Sequence, residues 1–260
     1  MMPYSSECLC AKLRLKSMLI SVARIACLIL TLLAGGLTAH ADELADFNAS
    51  VEAASAHNRV AIGYLRTGNA DLASLEIDRL RDKWTLFTER FAGNRPKAFE
   101  GNTLYTKLFT GVSARLVGAD IMLKTGRLDS ARSALDAVRG DLYELRKASG
   151  VVVLADCIRD ANAMMDALMI YNDRALDWAS NEIRLGLASN AESYKTGLTR
   201  CDAIASETVR TAPEFRRLID GAKSSLELIP KAIAARDTDL LHRVLIELRS
   251  FDNLLAFRYG

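Results

Sequence analysis

The chain has 260 residues, of which 50% are hydrophobic and 25% are charged, and its formal net charge is +2. A chain of this size can bury a large core without disulfide support, and few prolines with abundant Leu and Ala favour helices throughout. The nearly balanced charge gives no electrostatic case for a nucleic-acid partner, so we expect none.

The first 41 residues have the pattern of a secretory signal peptide. Basic residues precede a 13-residue apolar run at 25–37, and an A-x-A cleavage site ends at Ala41. Cleavage there removes four basic residues and Glu7, which changes the net charge from +2 to −1. The run is too short to span a bilayer, and no later stretch approaches that length. We therefore expect a periplasmic or secreted mature chain that does not span a membrane, with a retained N-terminal anchor as the alternative.

Three later segments share one pattern, and they align on Gly68, Gly126 and Arg236. Glycine suits the left-handed residue that ends a helix, and an aspartate suits the cap or first turn of the next helix. The pattern therefore predicts helix, tight turn, helix. Each segment has an aspartate three places after the aligned residue: Asp71, Asp129 and Asp239.

The helices that follow these turns carry apolar stripes at helical spacing. Such stripes indicate helices that pack nearly parallel to their neighbours in a bundle, and the last helix has the broadest apolar face. The stripes are Ala73, Ile77, Leu80, Trp84, Phe87 and Phe91; then Leu128, Ala131, Leu135, Val138, Leu142 and Leu145; and finally Leu241, Val244, Leu245, Leu248, Phe251 and Leu255.

The spacing of the turns predicts an all-α protein of long antiparallel helical hairpins, which form one or two up-and-down bundles. It places a further turn near residue 181, where Asn172-Asp173 and Ser180-Asn181 are candidate breakers. We expect helices of about 22–27 residues. After a signal peptide at 1–41, the chain divides into two bundle halves, 42–148 and 149–260, with hairpins at about 43–92, 99–148, 151–210 and 213–258.

Two known families resemble parts of this pattern. Gly68 with Ala73, and Gly126 with Ala131, resemble the middle of a tetratricopeptide repeat, whose period is near 34 residues. The long hairpins and the aromatic-basic tail at 253–259 resemble the periplasmic b-type and c-prime cytochrome four-helix bundles. This chain lacks their haem-binding residues, so the resemblance implies architecture and no haem.

Cys157 and Cys201 lie at equal distance from the predicted turn near residue 181, so antiparallel helices would bring them to the same height. In an oxidising compartment they are candidates for a disulfide. The alternative is a thiolate site for a soft metal such as copper, with Met164, Met165 and Met169 nearby. These methionines also fit a helical core stripe. No other metal site is predicted.

Few other residues suggest chemistry. His57 and His242 lie in no metal or catalytic pattern. Asp252 interrupts the last apolar stripe, so it is expected to pair with Arg249 or Arg258, most simply in a salt bridge at the core boundary, or to face a polar pocket. No phosphate loop or nucleophile elbow occurs, and we predict no catalytic or cofactor-binding residue. An enzymatic function stays open, because catalytic groups that are distant in sequence can meet in the folded chain.

The sequence therefore favours an exported, non-catalytic helical bundle that binds an unknown protein or small ligand. The alternative is a periplasmic bundle that handles a metal or haem.

Overall fold

The computed structural model describes residues 43–172 and 176–260, so the predicted signal peptide lies outside the described residues. Within this part the chain contains helices and no strand, and the predicted all-α class is confirmed. None of these helices combines the length and the apolar character that crossing a bilayer requires.

The helices are long in the first part of the chain and more broken in the second. Six of them have 21 to 24 described residues, while α5 has 16 and α8 has 14. They are α1 (43–66), α2 (Ala70–Phe91), α3 (Thr103–Lys124), α4 (Leu128–Ala148), α5 (Leu154–Met169), α6 (Asn181–Ile204), α7 (Glu207–Arg210), α8 (Pro213–Leu226), α9 (Ile229–Ala235) and α10 (Thr238–Tyr259), with a 3₁₀ turn at Lys97–Phe99.

Helices α1 to α4 pack as two hairpins, which we call the N-terminal half. Helix α3 lies against both α4 and α2. Helix α1 reaches α4 through Asn58, whose side-chain amide donates to the carbonyl of Leu135 at 3.1 Å. The predicted stripe of α2 is buried throughout, and that of α4 is buried except for the partly exposed Leu128.

The three aligned turns have the same backbone geometry. Gly68, Gly126 and Arg236 have φ values of 75°, 74° and 53°, the left-handed conformation predicted for these positions. In each turn the next amide bonds back to the carbonyl five residues before it, as Asn69 does to Tyr64 at 2.9 Å. The three aligned aspartates all lie in the first turn of the following helix.

Helices α5 to α10 form the C-terminal half, where α10 packs against α5 and α8, and α5 pairs with α6. The turn predicted near residue 181 lies earlier, because α5 ends at Met169 and α6 begins at Asn181. Ser180 caps α6 by accepting a hydrogen bond from the amide of Ile183 at 3.4 Å. It therefore marks the end of the turn, not its centre.

The last predicted hairpin has a broken first arm. Helix α8 ends at Leu226, and α9 begins at Ile229 with Pro230 in its first turn. Proline has no amide hydrogen and is tolerated at a helix start but not in a helix interior, so one helix cannot run through this point.

The buried hydrophobic side chains form two clusters, one from residues 47–145 and one from residues 157–255. Polar contacts join the two halves. Arg146 of α4 and Asp156 of α5 form a bidentate ion pair with both nitrogen–oxygen distances at 2.6 Å. Arg59 of α1 donates to the carbonyl of Gly260 at 3.0 Å. The division into bundle halves at 42–148 and 149–260 stays a prediction, as does the choice between one bundle and two.

Candidate ligand-binding site

Cys157 and Cys201 face each other across the α5–α6 hairpin. Their Cα atoms are 5.4 Å apart, their sulfurs are in bonding contact, and both side chains are buried. This geometry supports the predicted disulfide.

The neighbouring methionines belong to the packing of the C-terminal half. Met165 is fully buried in the core, and Met164 and Met169 pack against it. The sulfur of Met164 lies only 2.8 Å from the position that a Cβ atom at Gly197 would take, so the absence of a side chain there permits the close approach of α5 and α6. Among the described residues, no group of three His, Cys, Asp or Glu side chains converges as a metal site would require.

The two histidines have different surroundings. His57 of α1 contacts Glu76 of α2, with Nδ1 2.6 Å from Oε2, and Arg79 binds the other oxygen of that carboxylate at 2.5 Å. The hydrogen bonds among these three side chains therefore join α1 to α2. His242 lies on the exposed surface of α10.

Asp252 lies inside the C-terminal half, so the expected position at the core boundary is wrong. Its side chain is 1% exposed. It accepts hydrogen bonds from Asn162 at 2.5 Å, Tyr194 at 3.3 Å and Arg249 at 3.1 Å. Of the two predicted arginine partners, Arg249 is the one that binds it. A buried carboxylate needs such partners, and α5, α6 and α10 each supply one.

Burial raises the pKa of Asp252 from its ordinary value of 3.8 to about 6, because a low-dielectric environment penalises the charged carboxylate. The hydrogen bond from Asn162, the charge of Arg249 and the hydrogen bond from Tyr194 lower the pKa again without cancelling the effect of burial.

Replacing Asp252 with Asn should remove a pH dependence of stability. The folded-state pKa lies above the unfolded value, so the native protein binds the proton more tightly and this carboxyl stabilises the fold more as the pH falls. We expect the wild type to gain about 2 kcal/mol relative to Asp252→Asn between about pH 7 and about pH 4.5, measured by urea unfolding at each pH. The exposed Asp220 provides the control variant Asp220→Asn. A wild-type advantage that stays constant with pH would contradict the assignment.

A cavity of about 550 Å³ lies where the two halves meet. We call it the apolar cavity, because small and branched apolar side chains form most of its wall. Its charged lining residues, Glu52 and Arg146, are held in ion pairs with Arg59 and Asp156. The wall consists of Asn48, Ala49, Val51, Glu52, Ser55, Arg146, Val152, Val153, Leu154, Ala155, Ile204, Ser206, Val209 and Tyr259.

A second cavity of about 280 Å³ lies further along α1, between α1, α4, α5 and α10. We call it the arginine cavity. Arg59, Arg66, Arg132, Arg139 and Arg249 line it, together with Ile62, Gly63, Asp136, Asn162, Asn253, Ala256 and Phe257. The two cavities have no lining residue in common.

Sequence reasoning found neither cavity. A signal for the second was present, because Arg59 and Arg66 are seven residues apart, as are Arg132 and Arg139. This spacing places each pair on one helix face. The sequence does not show that these two faces adjoin, so it could not identify the site.

The buried carboxylate of Asp252 and the two cavities are the features from which a function can be argued. Comparison of the chain with protein-family models, curated proteins and solved structures finds no match.

Proposed function

We propose that this is an exported, non-catalytic binding protein that holds an apolar or amphipathic small molecule in the apolar cavity. The observation that carries the proposal is the cavity itself. Its volume of about 550 Å³ lies within the range of small-molecule sites, and such sites have mostly apolar walls with a few polar groups.

The position of the cavity also supports a binding role. Its wall comes from α1, from the segment 152–155 after α4, and from the region of α6 and α7, together with Arg146 of α4 and Tyr259 of α10. Binding sites often occur where two packed units meet. Because Arg146 is already neutralised by Asp156, the wall presents little free charge. A neutral apolar group is therefore the preferred occupant.

A neutral fluorescent probe, N-phenyl-1-naphthylamine, tests this proposal. We expect saturable binding to the wild type and a loss of affinity of about tenfold or more in Ala49→Trp, because an indole at this lining position occupies the volume. Ala53→Trp is the matched control. Ala49 and Ala53 are both exposed residues of α1, but Ala53 does not line the cavity.

Equal binding of the probe by both variants would place it elsewhere and refute the site. Mass spectrometry of protein purified from its native compartment would identify the natural occupant. We expect the N-terminus of that protein to be Asp42. A stoichiometric metal or a haem absorption band in that sample would favour the metal- or haem-handling alternative.

A further inference from the structure

The arginine cavity concentrates positive charge between the two halves. Five guanidinium groups line a volume of about 280 Å³, and Asp136 is the one acidic residue among its described lining residues. Arginine is the side chain best suited to bind oxyanions, because its planar donors match two oxygens at once.

Several of these charges already have carboxylate partners outside the cavity. Glu52 holds Arg59 at 2.5 Å, and Asp166 holds Arg249 at 2.5 Å. The carboxylate of Asp129 binds Arg132, with a nitrogen–oxygen distance of 3.2 Å. Arg59 also donates to the carbonyl of Gly260, and Arg249 also donates to Asp252. These contacts orient three of the guanidinium groups, and each keeps at least two of its five N–H donors unused.

The other two arginines are incompletely neutralised. Arg66 is exposed and makes no hydrogen bond or ion pair with any residue that the structure describes. The nearest carboxylate to Arg139 is that of Asp136, with a nitrogen–oxygen distance of 3.7 Å. That separation is too long for a hydrogen bond. Both side chains therefore have donors without a strong acceptor.

The surroundings of Arg139 disfavour its charge. Burial lowers its pKa, Asp136 opposes this effect, and the neighbouring charges of Arg159 and Arg59 lower the pKa further. Arg159 itself lies over the ring of Tyr143 at 4.9 Å. An anion bound in the cavity would attract each of these arginines and so offset their mutual repulsion.

We propose that the arginine cavity binds a phosphate-type oxyanion, either free phosphate or the phosphoryl group of an organic ligand. A carboxylate has two oxygens and one charge, which a single arginine can satisfy. A phosphate carries up to two charges and more acceptor oxygens, which suits Arg66 and Arg139 acting together with the oriented donors of Arg59 and Arg249. This site is separate from the apolar cavity, so either proposal can fail alone.

Calorimetric titration with inorganic phosphate and with glycerol phosphate tests the proposal, at low ionic strength matched with potassium chloride. We expect at least one of the two to bind the wild type, with a dissociation constant raised about tenfold or more in Arg66→Gln and in Arg139→Gln. Preference for inorganic phosphate indicates a free anion as the ligand, and preference for glycerol phosphate indicates a phosphoryl group on an organic molecule.

Arg81→Gln is the control, since Arg81 is an exposed arginine of α2 outside the cavity, and it should keep wild-type affinity. Because Arg66 is exposed and unpartnered, its variant is expected to fold even if Arg139→Gln does not. The proposal is overturned if the wild type binds neither compound up to about 10 mM, or if Arg66→Gln binds as tightly as the wild type.

Discussion

Removing the Cys157–Cys201 bond should lower the free energy of unfolding by about 3 kcal/mol. The two cysteines are 44 residues apart in sequence, so the bond restricts a long segment of the unfolded chain. We expect Cys157→Ala/Cys201→Ala to show this loss in urea unfolding. Neither cysteine of the untreated protein should react with an alkylating agent, as mass spectrometry can show, and both should react after reduction and unfolding.

The reduced wild type separates the effect of the bond from that of packing. Both cysteines are buried, so the alanine variant also loses sulfur packing, whereas reduction removes only the bond. A reduced protein as stable as the oxidised one would show that the bond does not stabilise the fold. Alkylation before reduction would show that the bond does not form.

Breaking the Arg146–Asp156 pair should cost about 3 kcal/mol in the variant Arg146→Met. Both residues are buried, at 5% and 8% exposure, and two hydrogen bonds of 2.6 Å join them. Removing the arginine leaves a carboxylate without its partner at the junction of α4 and α5, where burial penalises its charge. Urea unfolding measures the loss.

The double variant Arg146→Met/Asp156→Met should recover most of that stability, because replacing both partners leaves no uncompensated charge. The exposed pair of Arg81 and Asp78, separated by 3.5 Å, gives the matched control. We expect Arg81→Met to change stability by less than about 1 kcal/mol. A double variant no more stable than the single one would contradict the electrostatic explanation.

The stripes and turns were predictable because both are local patterns. The spacing from Ala73 to Phe91 depends only on the geometry of one helix, and all six residues of that stripe are buried. The left-handed turn at Gly68 follows from a single residue type and its neighbours. The pairing of Cys157 with Cys201 needed one further step, the assumption of two antiparallel arms of equal length.

The interior position of Asp252 was not predictable, because its partners come from α5 and α6 as well as from its own helix. Asn162 and Tyr194 are 90 and 58 residues away in sequence. The break before Pro230 could have been predicted, because a proline within the predicted first arm of the last hairpin indicates an interruption of the helix. The arginine cavity depends on which helix faces adjoin, and this is a property of the assembled fold.

The turn at Arg236 shows that backbone bonding defines these reversals more than residue type does. A side chain in the left-handed region costs about 1 kcal/mol, which glycine avoids at the other two positions. Here the amides of Arg236 and Asp237 bond to the carbonyls of Ile233 and Ala232 as in the glycine turns, and the chain accepts the strain. A repeat search that required glycine would recognise two of these hairpins and overlook the third, so repeat units in chains of this kind are better counted from the bonding pattern.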